Sequence, residues 1–261
     1  DVSVTGTVNG TTYVGGLVGF SETNFSNASV NSTVNGTEHV GGLIGYFNSE
    51  RYPTNVMGLS VRGSIKGSNQ VGGLIGYVDN NGEVINSSVR GSIKGNNQVG
   101  GLVGYIDDDG EVTDSSVRGS IGGHDQVGGL VGEADEGAKI INTSVRGSIE
   151  GHDQTGGLTG KADDNTKIIY SSVGGSVDGH ENVGGLVGRY FGEINNAYTY
   201  ASVNGSSEIG GLVGVGRDTK IQNAFAAGNV TGEARVGGVV GTSIDTGINS
   251  YWDIQTTGQS E

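Results

Sequence analysis

Apolar and polar positions along residues 60–94 alternate with period two, break, and restart. In Ser-Val-Arg-Gly-Ser-Ile-Lys, residues 60–66, Val61 and Ile65 share one face while Arg62, Ser64 and Lys66 take the other. Val-Gly-Gly-Leu-Ile-Gly-Tyr, residues 71–77, is a second apolar run. Gly-Glu-Val-Ile-Asn-Ser, residues 82–87, is a third, with Val84 and Asn86 on one face. Turns of Gly, Asn and Asp separate them. The pattern predicts three short strands and three corners, a triangular coil.

The hexapeptide of the middle run occurs nine times, beginning at Val14, Val40, Val71, Val99, Val127, Thr155, Val183, Ile209 and Val236. The steps are 26, 31, 28, 28, 28, 28, 26 and 27 residues. Such a period belongs to solenoids, propellers and arrays. Gly and β-branched residues dominate, which excludes helical repeats, and a propeller blade needs about 40 residues. The expected fold is all-β, a parallel β-helix (β-solenoid) of about nine coils stacked ~4.8 Å apart into a rod of roughly 43 Å. The crossover preference of parallel strands makes it right-handed. Residues 1–261 are read as one array, with an incomplete first coil at 1–13 and a closing segment at 249–261. The abrupt start inside a repeat-like segment suggests a section of a longer or processed protein.

Stacking turns sequence columns into ladders. Val61, Val89, Val117, Val145 and Val173 form one; Ile65, Ile93, Ile121, Ile149 and Val177 a second; Val84, Val112, Ile140, Ile168, Ile194, Ile221 and Ile248 a third. Asn86, Asp114, Asn142, Asn196 and Asn223 form a corner column expected to pass hydrogen bonds between buried amides. The hexapeptide poses a parity problem, because Val14 and Val18 alternate against Leu17. Either the Gly-Gly pair makes a bulge that turns all three inward, or the valines form a bare apolar ribbon. The sixth copy changes both valines to Thr155 and Thr159 and keeps Leu158, which marks Leu as the surest core position.

Composition narrows the partners. Of 261 residues, 53 are Gly and only 1 is Pro, without the strict triplet of collagen. A net charge of −14 argues against nucleic acid and anionic membranes. No apolar run approaches the ~20 residues of a membrane span, and with no Cys there is no disulfide framework.

The repeated V-G-G-L-[VI]-G resembles the GLUG motif, whose core here is Gly16-Leu17-Val18-Gly19 and its eight successors. Asn249-Ser250-Tyr251-Trp252-Asp253, followed by Thr256-Thr257-Gly258-Gln259, is similar to the closing segment of such arrays. The resemblance covers nearly the whole chain; the sixth copy departs as TGGLTG and the ninth as VGGVVG. GLUG arrays occur in large secreted and cell-surface proteins of bacteria and archaea, among them adhesin-like proteins and streptococcal IgA-cleaving metallopeptidases. The H-E-x-x-H helix of those peptidases is absent here. The resemblance implies a spacer, stalk or adhesive module in an extracellular or cell-surface setting.

Several outward columns are candidates for chemistry. Arg62, Arg90, Arg118 and Arg146 form a comb for carboxylates, sulfates or acidic glycans, or else pair with neighbours such as Glu83 and Glu111. Phe20, Tyr46, Tyr77 and Tyr105 form a strip suited to sugar rings, or a ladder shielding one corner. Asp79, Asp107, Asp108, Asp109, Asp135 and Asp163 lie in successive acidic loops that could offer oxygens to calcium, although no EF-hand spacing is present. His124, His152 and His180 recur at 28 residues and raise a metal reading that the absence of a closed ligand set weakens. Asn9, Asn24, Asn27, Asn31, Asn35, Asn204 and Asn229 head glycosylation sequons. Asn86 and Asn142 also do so, but their corner column is expected to leave them unmodified.

The function expected is therefore non-catalytic: a structural or adhesive repeat module acting as rigid spacer, adhesin or self-associating filament subunit. Its partners would be carbohydrate, a surface protein or a second copy end to end, with no required cofactor. The alternative is a polysaccharide lyase or glycosidase-like enzyme on a β-helix. Against it, the candidate Arg and Asp residues recur coil after coil, whereas catalysis needs one unique constellation.

Overall fold

The computed structural model describes residues 2–49, 54–107, 109–244 and 247–259. The tip of the longest insertion (residues 50–53), Asp108 and the last two residues of the closing segment lie outside the described residues. The chain is an all-β solenoid. One strand from each coil builds a nine-stranded sheet, and the remaining strands wrap into a second, 26-stranded one. Strands pair in parallel with their counterparts in the coils above and below.

A complete coil runs Ser60–Lys66, Asn69–Gly72, Ile75–Val78 and Glu83–Ile85, and the next begins at Ser88. It holds four strands, not the three expected, because the middle apolar run bends at Gly73 and Leu74. The backbone there is too tight for any side chain. A Cβ on Gly72 would stand 1.8 Å from the Ile75 carbonyl oxygen, and one on Gly73 would stand 2.1 Å from that of Gly101. The amides of Leu74 and Ile75 both donate to the Leu102 carbonyl, at 2.8 and 3.1 Å. The bend resolves the parity problem. Val71, Leu74 and Ile75 are all fully buried, and no valine ribbon forms.

The columns read from the sequence are spatial ladders. Val61 pairs with Val89, Val117, Val145 and Val173 in turn, and Ile65 heads the parallel series to Val177. The third ladder runs from Val84 to Ile248, where the last member is exposed at the end of the stack. Each buried Val, Leu or Ile contributes roughly 1.5–3 kcal/mol, so the core is one thin continuous column. Thr155 and Thr159 also sit in it at 0 % exposure, and neither hydroxyl has a hydrogen-bond partner among the described residues.

Two corners are turned by left-handed residues. His39, Gln70, Gln98, Gln126 and Gln154 have φ of 45–53°, a conformation that costs a non-glycine residue roughly 1–2 kcal/mol. The other corner uses Asn27, Gly58, Asn86, Asp114, Asn142, Asn196 and Asn223, all at positive φ. The Asn column was expected to satisfy buried amides, but Asn86, Asp114, Asn142 and Asn223 are exposed. One coil-to-coil bond of the expected kind is present, Asn142 Nδ2 donating to Asp114 at 2.5 Å, and Asn and Asp also tolerate this region better than other side chains. The buried hydrogen bonds lie one residue later. Ser87, Ser115, Thr143 and Ser171 are buried, and the Ser115 and Ser171 hydroxyls accept from the amides of Ser87 and Thr143 in the preceding coils.

Two outcomes test this packing. A Cβ on Gly104 would meet the Gly76 carbonyl oxygen at 2.6 Å, while one on Gly174 would meet nothing within 4 Å. Gly104→Ala is expected to destabilise by about 1–3 kcal/mol and Gly174→Ala by less than about 0.5 kcal/mol, read from thermal or urea melts. In the same melts, Thr155→Val and Thr159→Val each stabilise by about 1–3 kcal/mol, by removing a buried unpaired hydroxyl. Destabilised valine variants would show that those hydroxyls do have partners.

Candidate functional site

The aromatic strip and the acidic loops, separate in the sequence, are one structure. The Tyr46 hydroxyl donates to Asp79 at 2.7 Å, Tyr77 to Asp107 at 2.7 Å, and Tyr105 to Asp135. Each tyrosine thus reaches diagonally to the loop of the following coil. The rings also stack, with centroids 5.5 Å apart for Phe20–Tyr46, 4.8 Å for Tyr46–Tyr77 and 4.9 Å for Tyr77–Tyr105. His39 and Tyr13 pack on the same stack. Burial, then the hydrogen bond to Asp, pushes the phenols of Tyr46, Tyr77 and Tyr105 well above their ordinary range. Only Phe20, at the open end, is exposed among the four; the tyrosines are half-buried. The strip shields a corner and presents little ring face to a sugar.

The ladder changes residue type after Tyr105. Glu133 pairs in register with Tyr105 and with Lys161. Lys161 Nζ donates to Glu133 at 2.7 Å and to Asp163 at 2.8 Å. Oxygens of Glu133, Asp135 and Asp163 lie within 4.8 Å of one another. This is where the acidic loops come closest to a cation site, and the Lys161 ammonium already holds two of the three carboxylates. Burial would lower Lys161, but its bonds to Asp163 and Glu133 outweigh this and raise it. Burial is the largest effect on Asp135, and with Glu133 and Asp163 it raises the carboxyl from 3.8 to about 6 against the opposing Tyr105 bond. Asp79 and Asp107 are engaged by tyrosines, and Asp109 is an exposed left-handed turn residue. Of the candidate aspartates among the described residues, only Asp135 and Asp163 join a common cluster.

The histidines stack face to face on the surface, with ring centroids 4.7 Å apart in both steps. The Nδ1 atoms of His124 and His152 lie 2.8 and 2.9 Å from the carboxylates of Asp125 and Asp153. Two overlapping groups, His124 with Asp125 and His152, and His152 with Asp153 and His180, bring their ligand atoms within 4.8 Å of one another on the surface.

Arg62, Arg90, Arg118 and Arg146 are exposed and directly in register. Among the described residues none of them makes an ion pair, and Glu111 pairs with Lys139 instead, at 4.0 Å. Of the sequon residues, Asn9, Asn24, Asn27, Asn31, Asn204 and Asn229 are exposed and Asn35 is half-buried. Asn9 accepts from Asn35 at 2.8 Å, and Asn24 accepts from the Asn55 amide at 2.9 Å. Asn86 and Asn142, expected to be shielded, are exposed as well. Sequence reasoning missed Lys161 and Glu133 as partners of the acidic loops. Their break from the Phe/Tyr column was the available signal.

The Asp135 carboxyl predicts a pH effect. Below about pH 4 it is protonated in folded and unfolded chains, and well above pH 6 it is ionised in both. Between these limits the folded chain holds a proton that the unfolded chain has released, so the group subtracts stability as pH rises. Asp135→Asn removes the titration and keeps an oxygen for Tyr105. The melting temperature of the variant minus that of the wild type should rise between pH 4 and 7 and then level off. A pH-independent difference would refute the assignment.

No curated protein and no solved structure matches the chain. The family model of the GLUG motif matches residues 67–94 and 95–122, two successive coils. The coils stacked on either side keep the same glycine bend and the same register, which is consistent with a GLUG-repeat β-solenoid.

Proposed function

We propose that the chain is a non-catalytic structural and adhesive module of an extracellular or cell-surface protein. The observation that carries this reading is the in-register repetition of its outward side chains. A parallel stack presents the same group at each coil, which suits reach and multivalent weak contact. Catalysis asks for a unique arrangement, and most candidate groups here serve the stack itself. The tyrosines and their aspartates hold adjoining coils together, and Lys161 bridges two carboxylates of the Glu133, Asp135 and Asp163 cluster. The stacked rods of such modules hold a binding face at a set distance from whatever anchors them.

A second reading has one observation in its favour. Glu133, Asp135, Lys161 and Asp163 gather carboxylates, one with a raised pKa, beside Tyr105. That set would suit proton transfer in a polysaccharide lyase. The two readings separate on incubation with a panel of acidic polysaccharides. The module is expected to release no unsaturated or reducing ends. Product release that Asp135→Asn abolishes would overturn the non-catalytic reading.

A further inference from the structure

Some of the chain's cations are paired between coils, whereas others, such as Lys66 and Lys94, stand in register with one another and in no ion pair among the described residues. Lys139 lies 4.0 Å from Glu111, Lys161 is bonded to Glu133 at 2.7 Å, and Arg235 is bonded to Glu208. Even the acidic column is accompanied, with His124 and His152 beside Asp125 and Asp153. Arg62, Arg90, Arg118 and Arg146 extend such a like-charge row over four coils. They are four like charges at successive coils, ~4.8 Å apart along the stack, unpaired among the described residues. The chain has 28 acidic residues, and among the described ones none forms an ion pair with these arginines.

The surface around them is shaped. The arginines and the serine column Ser60, Ser88, Ser116 and Ser144 line one continuous groove along the rod. These serines make no side-chain hydrogen bond among the described residues, which leaves their hydroxyls for a ligand. Beyond Arg146 the register position is Gly174, and a Cβ there would meet nothing within 4 Å. That gap continues the groove, and its far wall is Tyr198 and Tyr200. The two residues are 44 % and 59 % exposed, and their rings meet edge to face at 5.4 Å. Unlike Tyr46, Tyr77 and Tyr105, neither gives its hydroxyl to a neighbouring carboxylate.

We propose that this face is a binding groove for a linear acidic polysaccharide. Its carboxylates or sulfates lie along Arg62, Arg90, Arg118 and Arg146, and one of its sugar rings stacks on Tyr198 and Tyr200 past the Gly174 gap. Guanidinium forks suit planar carboxylates and sulfates. The coil spacing suits an anionic group every ~5 Å, or every ~10 Å on alternate arginines. Hydroxyl donors between the charges match a ligand rich in hydroxyls. A single-stranded nucleic acid would call for a stacking platform at each step, whereas the tyrosines stand only at one end. The proposal deepens the adhesive reading above and rests on it.

The test uses the whole chain and titration calorimetry at low and moderate salt. The probes are a polygalacturonate oligosaccharide, a heparin-derived oligosaccharide, neutral dextran, polyglutamate and a single-stranded oligonucleotide. Binding to one of the two acidic glycans and not to dextran is expected, weakening with salt. Arg90→Gln with Arg118→Gln should reduce affinity by about tenfold or more and flatten the salt dependence. Tyr200→Ala should weaken binding about threefold to tenfold and leave the salt dependence unchanged. Circular dichroism melts show that the variants fold, and the arginine pair is expected to melt no lower than the wild type, because it relieves repulsion. The proposal is overturned if neither glycan binds, if the arginine variants bind like wild type, or if polyglutamate or the oligonucleotide binds more tightly than both glycans. Absence of binding without any product release sinks the groove alone. Product release sinks the non-catalytic reading and leaves groove occupancy to be judged by the same variants.

Discussion

The structure depends on how closely the coils approach. Parallel strands from successive coils must stack at hydrogen-bonding distance, and at the V-G-G-L bend backbone meets backbone with no room for a Cβ. Glycine is the only residue that meets this constraint, and the bend it permits brings Val71, Leu74 and Ile75 into one core despite their spacing along the chain. The same bend divides the apolar run between the two sheets. Glycine's abundance is therefore a packing requirement, and flexibility has little part in it.

Stacking in register has a second consequence. Whatever one coil presents, the next presents again one strand-spacing away. Apolar residues profit, as the Val61 and Ile65 ladders show, and so do hydroxyls such as Ser87 and Ser115, which satisfy amides across the coil boundary. Charges do not profit, and the chain manages them in distinct ways. Glu111 and Lys139 alternate sign; Tyr77 and Asp107 offset donor and acceptor by one coil; Lys161 bridges Glu133 and Asp163. The arginine column does none of these. An outward row of like charges that the fold leaves unneutralised is a natural place for an external polyanion, and the rod lays its sites along one line.

Much of the fold was legible in the sequence because β-pairing in register makes one-dimensional period equal to three-dimensional adjacency. Nine hexapeptides with steps near 28 residues specify nine stacked strands, and the columns Val61–Val173 and Val84–Ile248 follow from simple offsets. Less of the candidate surface was legible. The four arginines were visible as a column. That Tyr46, Tyr77 and Tyr105 spend their hydroxyls on Asp79, Asp107 and Asp135 was not, because the partners sit 30 to 33 residues apart on different elements. Nor could offsets show that Tyr198 and Tyr200 flank the continuation of the arginine groove, since the 26-residue step there breaks the period.

The sequence alone determined which residues stack, since periodicity and alternation suffice for register. Only the tertiary structure decided which way the chain turns between strands. The left-handed corners at His39, Gln70 and Gln126 carry no compositional mark, because those residues adopt that strain only when the strands on both sides hold them there. The exposure of Asn86 and Asn142 and the burial of Thr155 and Thr159 follow from those turns. A side chain's direction at a corner is set by neighbouring coils, and no local pattern of polar and apolar residues encodes it.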